Sequence, residues 1–278
     1  MRRVFGLNVL LLTMGMSHSA FAVKFEAFET AASAAAHGWA AVGNGLDSQI
    51  VGWSNSNDAG GAAGEAQVDV KRGALASYAD SNLGMVINGS GGFSIAGKLN
   101  VVTLVEVPDL GNPPILGFFN SSSQYLGLMF RGDFDELGSD LSWGLRFSTT
   151  GDGIRISSGG DASRKIMLGT PHDFSLVYDP AVGSFGTLTV SVSGAGDPIV
   201  HALSETNRDL LNGAAFNMVG VIKSATGADA NGINLRLDDL TYTGVPVPEP
   251  SSLVTGFIGL AALAAIVWRK RDRGWALN

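Results

Sequence analysis

Glu249 is the only charged side chain between positions 246 and 268, and Pro248 and Pro250 flank it directly. With Pro246 they form an alternating proline run. Each ring fixes φ, and each disfavours helix at the residue before it, so the run is extended and unpaired. An extended backbone can enter a protease cleft, which a helix or paired strand can do only by unfolding. Pro248-Glu249-Pro250 therefore has the chemistry of a recognition and processing site.

Other reactive combinations are poorly supplied. There are no cysteines, which excludes thiol nucleophiles, thiolate metal sites and disulfide staples. Of four histidines, His37, His172 and His201 lie in the main body without metal-ligand spacing, and each reads as structural. No Gly-x-Ser-x-Gly elbow occurs. Gly89-Ser90-Gly91-Gly92 lacks the lysine of a phosphate loop. Glycoside hydrolysis needs two carboxylates across a cleft; the nearest acidic run, Asp133-Phe134-Asp135-Glu136, sits between Gly132 and Gly138 and reads as a solvated loop. These absences lead to the expectation that the chain is not an enzyme.

Two groups remain as ligand sites. Asn55-Ser56-Asn57-Asp58, and Asp229 and Asn231 with Asp238 and Asp239, offer the clustered oxygens that calcium takes. On a regular strand Asp238 and Asp239 point to opposite faces, so only one of them serves a given site. Calcium is the one cofactor considered; turn formation by Asn and Asp is the simpler account of both groups. Sugar binding needs aromatics on a wet face. Among Trp39, Trp53, Trp143, Tyr78 and Tyr125, the best placed is Trp53, because Asn55 and Asn57 follow it.

The elements that must present these residues begin at the two ends of the chain. Arg2 and Arg3, the apolar run 4–16 and the small-x-small site Ala20-Phe21-Ala22 have the three parts of a secretory signal, with cleavage after Ala22. Residues 251–268 carry no charge. As a helix at about 1.5 Å per residue they reach about 27 Å, close to the roughly 30 Å hydrocarbon core of a bilayer. Arg269, Lys270, Arg271 and Arg273 follow at once and hold that end on the cytoplasmic side. The expected organisation is a signal peptide over 1–22, a folded domain over 23–245, a proline-rich linker over 246–250, a transmembrane helix over 251–268 and a basic tail over 269–278.

The order of these parts, Val247-Pro248-Glu249-Pro250-Ser251, then an apolar helix, then an Arg/Lys cluster, resembles the PEP-CTERM sorting signal of Gram-negative bacteria that make extracellular polysaccharide. The resemblance implies an exosortase that processes the chain at Pro248-Glu249-Pro250, with signal peptidase acting at the other end. It also implies transient anchoring in the inner membrane with the body in the periplasm. The destination is then the cell surface or the extracellular matrix, with polysaccharide as a partner.

Between the termini, 12 basic and 23 acidic residues give a net charge of −11, the wrong sign for binding nucleic acid through its phosphates. Short alternating runs recur, separated by Gly, Ser, Asn and Asp. Leu141, Trp143, Leu145 and Phe147 share a face, as do Phe174, Leu176 and Tyr178, and Leu188, Val190 and Val192. Further runs cover 101–107, 115–119, 125–130, 218–222 and 233–242. Many short strands with turns between them predict an all-β antiparallel sandwich in one domain. Short helices are expected over 30–37, stopped by Gly38, and over 204–212, capped by Ser204 and stopped by Gly213. His172 to Pro180, Gly186 to Gly194 and Leu235 to Thr243 resemble strands of concanavalin A-like, laminin-G-like jelly rolls. That fold hosts lectins, glycosidases and adhesive modules alike. The leading expectation is a non-catalytic envelope or matrix protein; the alternatives are a carbohydrate-binding, lectin-like module and a divergent glycosidase.

Overall fold

A computed structural model describes residues 21–43, 50–70, 76–105, 114–121, 124–132, 140–149, 154–156, 164–214, 216–223 and 232–247. The expected signal sequence up to residue 20, Pro248-Glu249-Pro250, the expected apolar span and basic tail, Asp229 and the acidic run 133–136 lie outside the described residues. Among the described residues, no helix is long and apolar enough to cross a membrane.

In chain order the elements are β1 (Ala22–Glu26), α1 (Ala31–Ala36), β2 (Trp39–Val42), β3 (Ile50–Ser54), β4 (Glu65–Val70), β5 (Ala76–Asp80), β6 (Met85–Val86), β7 (Phe93–Val105) and β8 (Ile115–Ser121). They continue as β9 (Gln124–Gly132), β10 (Asp140–Ser148), β11 (Ile154–Ile156), β12 (Lys165–Met167), β13 (His172–Asp179), β14 (Thr187–Val192) and β15 (Ile199–Ala202). Last come α2 (Glu205–Gly213), β16 (Met218–Lys223) and β17 (Gly232–Pro246).

The strands form two antiparallel sheets. One runs β15-β14-β13-β7-β17-β4-β3, with β1 and β6 also on β17; the other runs β11-β10-β9-β8-β16-β5-β2, with β12 on β10. Alternation decides which face is dry. Trp143, Leu145, Phe147, Leu176, Tyr178, Leu188 and Val190 from the expected inward set all lie in one core shared by both sheets. The sandwich expected from the sequence is the architecture observed.

The second sheet also buries apolar groups on its other face, where Ile115, Phe119, Tyr125, Met129 and Ile222 form a separate cluster. Between their rows runs a line of glycines, Gly220 opposite Gly117 and Gly117 opposite Gly127. A Cβ on Gly117 would lie 2.2 Å from the Leu126 carbonyl oxygen, and one on Gly127 2.2 Å from that of Leu116. The close approach of these strands thus requires glycine on both sides.

Both helices are capped; Ser204 is the cap expected, while Thr30, expected as the first helical residue, is the cap of α1. The Thr30 hydroxyl accepts from the Ser33 N–H ahead of α1, and the Ser204 hydroxyl from the Asn207 N–H ahead of α2. Gly213 ends α2 as its last helical residue, and Ala214 is the C-cap.

β17 organises the first sheet. Its first half pairs with β4 and its second half with β1, while β7 lies beside both. The register with β7 slips between Asp238 and Thr241, where Asp239 adopts φ 50°. Leu237 and Leu240 both reach the core across this bulge. The bulge overturns the expected alternation of Asp238 and Asp239. Asp239, which a regular strand would turn inward, is about a third exposed and paired with Lys98.

Candidate functional site

Trp53 lies on β3, not in a polar loop. Its ring is partly buried against the core, and its indole N–H donates to the Phe28 carbonyl at 2.6 Å. Phe28 itself is held at φ 50°, with its N–H donating to Glu26 Oε1 at 2.8 Å. The polar edge that would orient a sugar is therefore used inside the fold. The other aromatic candidates, Trp39, Trp143, Tyr78 and Tyr125, are buried.

Beyond Trp53 the chain forms a loop over the outer face of the first sheet, with Asn55 and Asn57 exposed upon it. Glu65, fully buried at the start of β4, anchors the loop: its carboxylate accepts from the Ser56 hydroxyl and, at 2.8 Å, from the Ala59 N–H. Asn100 on β7 donates through Nδ2 to the Asp58 carbonyl at 2.7 Å. Arg236 on β17 lies beneath. Its Nε is 3.4 Å from Glu65 Oε1 and 3.7 Å from Asp58 Oδ2, and its Nη1 donates to Asp69 Oδ1 at 2.6 Å.

This arrangement bears on calcium. The acids that would gather around a cation already share the Arg236 guanidinium. Among the described residues no three His, Cys, Asp or Glu side chains are grouped to hold a metal. Asp239 pairs with Lys98, and hydrogen bonding to that carboxylate raises the lysine's pKa. Asp238 is buried under the loop. Its Oδ1 accepts from the Asp239 N–H at 2.7 Å, and Gly61 passes so close that a Cβ there would lie 1.6 Å from Oδ2. Burial pushes the Asp238 carboxyl up to about 6.

The histidines are separate. The His37 ring meets Glu26 Oε2 at 2.7 Å through Nδ1, and the His172 ring meets the Ser193 carbonyl at 2.6 Å; burial lowers the pKa of His201. Lys223, at the end of β16, is fully buried, and desolvation lowers it to about 8. Nothing in its sequence surroundings marks it, nor do they mark Glu65, Asn100 or Arg236 as the residues that build the loop. The alternation of Asn234, Arg236 and Asp238 with Ile233, Leu235 and Leu237 on β17 puts Arg236 on the outer face without showing what lies over it.

The sorting segment is presented by β17. Val245 pairs with Val86 and Pro246 with Met85, and the Val247 N–H reaches the Gly84 carbonyl at 3.4 Å. Val247 is the last residue described on this side of the motif. Beside it, Ala22 pairs with Gly244 and Val23 with Thr243. The bond expected to be cut by signal peptidase and the motif expected to be cut by exosortase leave from neighbouring strands at one end of the sandwich. β1 is tied down by Lys24, which donates to Asp80 Oδ2 at 2.8 Å; the Tyr242 hydroxyl donates to the same oxygen at 2.6 Å.

The PEP-CTERM protein-sorting motif matches residues 246–271. The chain therefore carries a tail of the kind processed by exosortase in exported proteins. No curated protein matches the chain. Among solved structures, peanut lectin aligns with 81% of this chain and 97% of its own at 9% identity and a TM-score of 0.47. A lectin complexed with galactose aligns over 80% and 98% at 10% identity and 0.45. An alginate lyase in complex with alginate trisaccharide aligns over 79% and 97% at 10% identity and 0.42. These likenesses concern the course of the chain and assign no ligand.

Proposed function

We propose that this chain is an envelope protein whose tail, 246–278, is its functional address. Residues 251–268 hold it in the inner membrane with the sandwich outside the cytoplasm. Exosortase then processes it at Pro248-Glu249-Pro250. The sandwich passes to the cell surface or the extracellular polysaccharide matrix and acts there as a non-catalytic module. The observation that carries this reading is the matched sorting motif starting at Pro246, the last residue of β17. The fold holds the start of the motif, through the pairing of Pro246 with Met85 and the bond from the Val247 N–H to the Gly84 carbonyl.

Transplantation tests the reading. Residues 246–278 fused behind an unrelated exported domain should cause that domain to be processed and released in a host with an exosortase, and to remain membrane-bound in a host without one. Identical fates in the two hosts would remove the sorting role.

A further inference from the structure

The end of the sandwich that releases both termini carries exposed apolar side chains. Val23 is the second residue of β1, Val86 sits on β6, and Val247 follows β17; all three are exposed. Register brings them together: Val23 lies opposite Thr243, and Val86 opposite Val245, two residues before Val247. Val182, also exposed, lies on the β13–β14 turn at the same end, since β13 finishes with Tyr178 opposite Phe93, the first residue of β7. Exposed apolar residues occur elsewhere too, Ile50 and Met167 among them, but those at this end adjoin the segment that leads toward the expected membrane span.

Tether length says what lies against that end. The Val247 N–H is still bonded to Gly84. From Val247 to Ser251 there are four peptide steps, at most about 14 Å when fully extended. The headgroup layer on each side of a bilayer is roughly 5–8 Å thick. While 251–268 spans the membrane, Val247 therefore cannot lie more than about 6–9 Å beyond the headgroups.

We propose that this end, centred on Val86 and Val247, is a docking surface for the bilayer that holds the chain's own apolar segment. The sandwich then stands on the membrane with β17 directed toward it. The opposite end, where Gly232 pairs with Val105, faces away. The proposal rests on the membrane-anchored state described above, and it adds an orientation that a loosely tethered domain would not have.

The absence of native cysteine permits single labels. Val86→Cys, Met167→Cys and Ala262→Cys would each be made in the full chain, labelled with an environment-sensitive fluorophore and reconstituted in phosphatidylcholine vesicles. Met167 is 68% exposed and lies near the far end, two residues before Gly169, whose N–H donates to the Val101 carbonyl. A headgroup-bound quencher should reduce emission from position 86 at least twofold more than from position 167, while an acyl-chain quencher reaches position 262. Equal quenching at 86 and 167, with 262 still quenched, overturns the docking surface alone. An unquenched label at 262 removes the anchored state, and the docking surface with it.

Discussion

Asp238 shows how one buried carboxylate sets a pH dependence for the whole domain. It is 1% exposed, and its folded pKa is about 6 against 3.8 in an open chain. Between those values the folded state binds the extra proton, so stability falls as pH rises from about 4 to about 6 and then levels off. Asp238→Asn should raise the urea midpoint at pH 7, by an amount equivalent to at most about 2–3 kcal/mol, with little gain at pH 4. A gain of equal size at both pH values would show that charge is not the cause. Arg236 makes a second prediction at this scale. Because the guanidinium already bridges Glu65, Asp58 and Asp69, a chelator should leave the melting temperature unchanged. A lowered midpoint would reveal a stabilising cation bound elsewhere.

At the scale of elements, the loop between β3 and β4 and the strand β17 matter most. Glu65 ties the loop to the sheet and partners Arg236, so Glu65→Ala leaves a buried cation short of one partner. It should cost about 3–5 kcal/mol and open the loop to proteolysis between positions 55 and 64. Destabilisation without new cleavage there would mean that the loop has other anchors. Thr30→Ala and Ser204→Ala remove caps and should each cost about 1 kcal/mol, measured by denaturant unfolding. The Ser204 cap was legible because a hydroxyl beside a helix start acts over three residues. The strands β10, β13 and β14 were legible for the same local reason, an apolar residue at every second position. The short strands β2 to β6 were not read from the sequence: β2 and β5 are rich in Ala, β6 is two residues long, and the alternation of Ala66, Val68 and Val70 in β4 is brief. The same limitation hid the setting of Trp53, whose polar followers signal a loop although its pairing with Ala66 makes it a strand residue. The Asp239 bulge is likewise a product of register. Gly97 lies across from it, where a Cβ would come within 3.0 Å of the Asp238 carbonyl oxygen, and no local pattern announces that approach.

The whole molecule is polar in the geometric sense. Its first and last strands are neighbours, so both membrane-directed termini leave one end, and β17 cannot be placed until the chain is complete through residue 246. The sandwich is therefore closed by the strand that leads into the sorting motif. The net charge of −11, from 12 basic and 23 acidic residues over 23–245, sets up a repulsion between the body and other polyanions. The most direct test of this account is the intact mass of the chain released from exosortase-bearing cells, beside that of a variant lacking Pro248-Glu249-Pro250. The account predicts a released form that begins at Val23 and lacks the span 251–268, with the variant retained in the membrane fraction. Release of the variant at the same mass and in the same amount would contradict it.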